Sequence, residues 1–137
     1  MKKVILGTVL LLMSVVCFAG DFIIIANKSV GESLISKADV KNIFLGKKST
    51  WSDGSAINAV ILKGGDVHIS FLKTAVKKSK SQFNTFWKKA IFTGTGTPPQ
   101  KFDNEKAMLD YVAKTPGAIG YVSANMIDDR VNIIKLN

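Results

Sequence analysis

The sequence is poor in the residues from which disulfides, metal centres and catalytic relays are built. Its 137 residues hold one cysteine, Cys17, and one histidine, His68. A disulfide within the chain is impossible, and a Cys/His zinc site is excluded. A Ser-His-Asp apparatus would have to run through His68 alone. No nucleophile stands beside a base in a recognised motif. Asp128 and Asp129 are adjacent, so on a regular element their side chains diverge. An enzyme is not expected, and neither a metal nor a cofactor is implied. Arginine is almost absent: Arg130 stands alone among 19 basic residues. Bidentate base contacts rely on arginine, which argues against sequence readout of nucleic acid. After Val16 no apolar run is long enough to cross a bilayer, so no transmembrane segment is expected in the mature chain.

What remains is an ordinary globular composition with a basic bias. Apolar residues make up 47% and charged residues 21%, enough for a core and too apolar for wholesale disorder. The net charge is +9. The first residues form a separate unit: Lys2 and Lys3, then the apolar run Val4 to Val16, then Cys17-Phe18-Ala19. This is the pattern of a secretory signal peptide, with cleavage expected after Ala19 or Gly20. An exported, periplasmic protein follows, without cysteine once the leader is gone. Acylation at Cys17 is the less favoured variant, because Ser14-Val15-Val16 departs from the lipoprotein pattern.

Residues 20–137 read as one domain. Asp21-Phe22-Ile23-Ile24-Ile25-Ala26 reads as a strand buried on both faces. Ser36-Lys37-Ala38-Asp39 is a capping box for a helix ending near Leu45, where Gly46 provides the stop. Ile57 to Leu62 is a second strand, and Gly64-Gly65-Asp66 breaks it and starts a helix with Asp66 as its cap. Val67, Phe71, Leu72, Ala75 and Val76 form that helix's apolar stripe. Ser79 to Gln82 is another capping box, followed by the 3.6-residue spacing of Phe83, Phe86, Trp87, Ala90 and Ile91. Thr93 to Pro99 is a loop, Asp103 caps a further helix, and Thr115-Pro116-Gly117 is a tight turn. Ala118 to Val122 and Val131 to Leu136 are the last strands. Strands separated by helices predict an α/β domain with a mainly parallel central sheet flanked by helices. In such sheets ligands sit beyond the carboxyl ends of the strands. The loops at Gly64-Gly65, after Val122, and from Asn27 to Ile35 are expected there.

Two stretches carry a family resemblance. Ile43-Phe44-Leu45-Gly46-Lys47-Lys48-Ser49-Thr50-Trp51-Ser52-Asp53-Gly54 resembles the "IF-G-K---W-DG" stretch of the periplasmic binding proteins of phosphate ABC importers. Thr115-Pro116-Gly117-Ala118-Ile119-Gly120-Tyr121-Val122 is similar to their "TPGAIGYV" stretch. The resemblance implies a type II periplasmic-binding-protein lobe, with a small oxyanion such as phosphate as ligand and an ABC transporter as onward partner. Full-length members hold the anion between two lobes, whereas this chain has the length of one. They also place Ser-Gly-Thr, usually after an arginine, at the junction following the second strand. Here that junction reads Lys63-Gly64-Gly65-Asp66-Val67-His68, with lysine for arginine and no hydroxyl pair.

The candidate ligand contacts are therefore Lys63, Gly64, Gly65 and His68. Exposed amides beside a cation suit an anion, while Asp66 opposes one. The Asn27 to Ile35 loop is a second source of contacts. Trp51 and Trp87 read as packing residues, and Thr93 to Thr97 as a structural loop. The lysines at 73, 77, 78, 80, 88 and 89 read as a solvated basic face that would suit an acidic partner or an anionic lipid. The alternative function is a degenerate lobe that has lost phosphate and contacts another envelope protein.

Overall fold

Long β-branched runs and short amphipathic repeats alternate along the chain, and the computed structural model turns them into one sheet with helices on both faces. Residues 21–126 and 128–137 are described. The expected leader, residues 1–19, lies outside them.

The strands are β1 (Phe22–Asn27), β2 (Leu34–Ile35), β3 (Asn58–Leu62), β4 (Gln100–Phe102), β5 (Ala118–Ser123) and β6 (Val131–Leu136). The helices are α1 (Lys37–Phe44), α2 (Asp66–Phe71), α3 (Lys80–Thr93) and α4 (Glu105–Lys114). The sheet order is β2-β6-β1-β5-β3-β4. β3 runs parallel to β4 and β5, and β6 runs parallel to β2. β1 lies between β5 and β6 and is antiparallel to both. The sheet is thus mainly parallel, as expected, with its first strand reversed.

That reversal corrects one expectation. The carboxyl end of β1 lies against the amino end of β5, where Ala26 pairs with Ile119. The chain leaving Asn27 therefore starts from the end of the sheet opposite Lys63 to Gly65. A strand buried on both faces has no sequence mark for its direction.

The sheet's two faces are covered differently. α4 packs over β5, β1 and β3. On the opposite face an aromatic cluster joins the sheet to α1 and α2: Phe71 stacks on Tyr121 at 3.8 Å and meets Phe44 edge-on at 4.8 Å. All three are fully buried. Such pairs add about 1 kcal/mol each beyond the area they bury.

The caps refine the sequence reading. Ser79 and Gln82 form the full reciprocal box of α3. Ser36 Oγ accepts from Asp39 N, but the Asp39 carboxylate turns to Lys48, so only half of that box forms. Asn104, not Asp103, caps α4, its Oδ1 accepting from Ala107 N at 2.8 Å. Gly65, not Asp66, occupies the cap position of α2, with φ at +97°. The stripe from Val67 to Val76 is one helix only as far as Phe71. Leu72–Val76 is a π-helical segment, ended by Lys77 in the left-handed region at φ 62°. The three-residue edge strand β4, with no alternating pattern, was not expected.

Candidate functional site

β3, β4 and β5 deliver their carboxyl ends, Leu62, Phe102 and Ser123, to one rim of the sheet. The rim is built from three following segments: Lys63-Gly64-Gly65, Asp103-Asn104 and the chain after Ser123. A shallow depression of about 270 Å³ opens there, lined by Leu62, Gly64, Gly65, Asp66, Val67, Asp103, Asn104 and Glu105.

Lys63 N–H donates to Phe102 O, which ties the start of the loop to β4. Among the described residues, the N–H groups of Gly64 and Gly65 donate to no protein acceptor. A Cβ on Gly64 would stand 3.1 Å from Lys80 Nζ, so the Lys80 ammonium lies against the loop. Lys63 Nζ pairs with Asp103 at 2.7 Å, both side chains well exposed. The rim thus offers two open amides and two ammonium groups, opposed by Asp66 and Asp103. The donors of Ser123 are already used: its N–H and Oγ both donate to the Glu105 carboxylate. The unengaged donors and the cations of the rim therefore lie on its Lys63 side.

The structure places His68, a candidate contact, in the interior. It is 2% exposed, and its Nδ1 is hydrogen-bonded to the Tyr121 hydroxyl. That hydroxyl in turn accepts from Leu62 N–H at 3.0 Å. Burial pushes the imidazole pKa down to about 4, and the charges of Lys80 and Lys101 push it the same way. His68 is therefore neutral at neutral pH. Burial raises the Tyr121 phenol above its ordinary value. The relay from His68 through Tyr121 to Leu62 fixes the strand end from which Lys63 to Gly65 depart. His68 thereby supports the loop from within.

Lys80 was not singled out for the site from the sequence. It appears there only as one lysine of a run, and no linear spacing connects it to Gly64. Lys63, Gly64 and Gly65 do come together at the rim. Among the described residues, no group of three or more His, Cys, Asp or Glu could hold a metal ion. No helix among them is long and apolar enough to cross a membrane.

The opposite end of the sheet holds a roomier cavity, about 470 Å³, lined by residues including Lys48, Ser49, Asn58, Trp87, Thr97 and Gln100. The two tryptophans at this end act as packing residues. Trp51 is buried and donates from Nε1 to Gly117 O at 3.0 Å. Trp87 is buried and donates to Phe44 O at 3.2 Å.

A family model described as a PBP superfamily domain matches residues 12–133. Among solved structures, a phosphate-bound protein from Clostridium perfringens aligns with a TM-score of 0.66 and 19% identity, covering 85% of this chain and 44% of that one. An ABC-type phosphate transport receptor from Vibrio cholerae aligns at 0.63 and 15% identity, covering 85% and 46%. PstS from Borrelia burgdorferi aligns at 0.63 and 17% identity, covering 85% and 47%. The chain spans less than half the length of each of these proteins, and at such identities the likeness concerns the fold.

Proposed function

The chain belongs to the PBP superfamily, and from that premise we propose that it is an exported, non-catalytic receptor for a small oxyanion, phosphate first. Its place would be the periplasm, as one lobe over residues 20–137, with an ABC importer as the onward partner. The observation that carries this reading is the rim: two unengaged glycine amides at a strand end, flanked by the ammonium groups of Lys63 and Lys80. The structures with which the fold aligns include one with bound phosphate.

Capture would proceed from the backbone outward. The Gly64 and Gly65 amides donate to one oxygen, and Lys63 swings from Asp103 to the anion. Lys80 supplies charge from below. The two carboxylates that oppose a bare anion give the site a preference. A protonated phosphate oxygen can donate a hydrogen bond to Asp66 or Asp103, whereas sulfate at neutral pH has no proton to give. An open rim leaves the ligand in water, so screening acts on every charge pair and affinity should fall with salt.

Calorimetric titration with phosphate, repeated with sulfate and with Lys63→Ala, tests the reading. Saturable heat with phosphate, weaker with sulfate and reduced in the variant, is the expected result. Absence of heat at millimolar phosphate and low salt would sink it.

A further inference from the structure

The basic residues are not spread evenly. Between Asp66 and Asp103 the chain contains seven lysines and neither aspartate nor glutamate, while all ten carboxylates of the sequence lie outside that stretch. The stretch folds as α2, the π-helical segment, α3, a loop and β4. Among the described residues, none of these seven lysines takes part in an ion pair.

The long helix of the stretch is amphipathic in an uncommon sense. Phe83, Trp87 and Ala90 point inward. On the exposed side, Thr85, Lys88, Lys89 and Phe92 recur at three- and four-residue spacing. Phe92 is 93% exposed and its neighbour Ile91 is 57% exposed. Two large apolar side chains thus stand in solvent beside two unpaired lysines, at the end of a helix without one carboxylate.

We propose that this side of α3 seats the protein on an anionic phospholipid surface. Phe92 and Ile91 would enter the boundary between headgroups and acyl chains, and Lys88 and Lys89 would pair with lipid phosphates. The charge of the face selects an anionic occupant. The kind of cation selects lipid over protein. Cores of protein interfaces are depleted in lysine, and the two cations beside Phe92, Lys88 and Lys89, are both lysine. Lysine stems lie along apolar surface while their ammonium groups stay in water, which suits a headgroup layer. The exposed apolar area is two adjacent side chains, far short of the ~800 Å² per partner of a stable protein interface. It is sufficient for shallow insertion when added to electrostatic attraction.

The test uses the protein produced from the full-length chain, with its N-terminus fixed by mass and shared by every variant. Phosphatidylcholine vesicles are compared with vesicles that also carry phosphatidylglycerol. Phe92→Trp gives a reporter at the tip, against the constant background of the buried Trp51 and Trp87. The expected result is a blue shift and quenching by brominated acyl chains with the anionic vesicles alone, reversed by high salt. Phe92→Ser should weaken partitioning about tenfold, and Lys88→Gln or Lys89→Gln about fivefold each. All three positions are exposed, so the thermal midpoints of these variants should match the parent. The proposal is overturned if the reporter stays in water on anionic vesicles, or if Phe92→Ser binds as well as the parent. It is equally overturned if neutral vesicles bind as well, or if the reporter shifts with protein concentration alone, since a second copy would then cover the face.

Discussion

The two ends of the sheet use glycine in opposite ways. At the amino end of β5, Gly117 is locked. Its φ is +76°, and a Cβ would come within 2.2 Å of Ala56 O. Its N–H donates to Ser29 Oγ, and its carbonyl accepts from both Trp51 Nε1 and Asn58 N–H. At the carboxyl end of β3, the N–H groups of Gly64 and Gly65 are unengaged, and charged side chains surround them. One end spends its hydrogen bonds on holding the fold, and the other keeps donors in reserve. The stretches that carry the family resemblance, around Trp51 and Gly117, lie at the locked end. The departures from the family pattern lie at the open end. Motifs that identify this fold are therefore architectural, and fold-level likeness does not by itself assign a ligand.

Substitutions separate the two ends. Gly117→Ala meets backbone at a distance no relaxed Cβ tolerates and adds strain at positive φ. It should cost about 3 kcal/mol or more, read from the urea midpoint. A midpoint equal to the parent's would show that the amino end is not locked.

Acid should act at the open end through His68. Its folded pKa is about 4 against an unfolded value of 6.5. The unfolded chain therefore takes up the proton first, and stability is complete above pH 6.5. It falls as pH drops from 6.5 towards 4 and levels off below, by at most on the order of 3 kcal/mol. His68→Phe should flatten that window in a denaturation series against pH.

Asn27 belongs to the locked end. Its buried amide donates to Val112 O and Ala113 O at the last turn of α4, and its Oδ1 accepts from Ser29 N–H. Asn27→Ala should destabilise by about 2 kcal/mol through orphaned carbonyls and leave phosphate affinity intact in the fraction that folds. Lys63→Ala should do the reverse. Its ion pair with Asp103 is exposed, so stability should change by less than ~1 kcal/mol. Phosphate affinity should fall about tenfold, the loss of one charged hydrogen bond.

The elements with a strong local signature were legible in the sequence. The periodicity of α3, its capping box, the Pro116-Gly117 turn and the strands at Ile24, Val60, Ile119 and Ile134 all follow from neighbours a few residues apart. Features that depend on distant partners were not. The direction of β1 is decided by pairing with β5, about a hundred residues later. β4 is three residues long and exists because β3 lies beside it. His68 reads as an accessible residue in the first turn of a helix until Tyr121 arrives from 53 residues away. The capping residues at 65 and 104 were each missed by one position, since adjacent residues were both plausible caps. At the site, Lys63, Gly64 and Gly65 were legible because they are contiguous. Lys80 was not, because only the fold carries the start of α3 to Gly64.

The most direct test is a phosphate titration followed through backbone amide shifts of the 15N-labelled protein. The account predicts saturable shifts at Gly64 and Gly65, with Gly117 and Gly46 unmoved and the response lost in Lys63→Ala. Shifts centred on Gly46 and Gly117, or none at Gly64 and Gly65 at saturating phosphate, would contradict it.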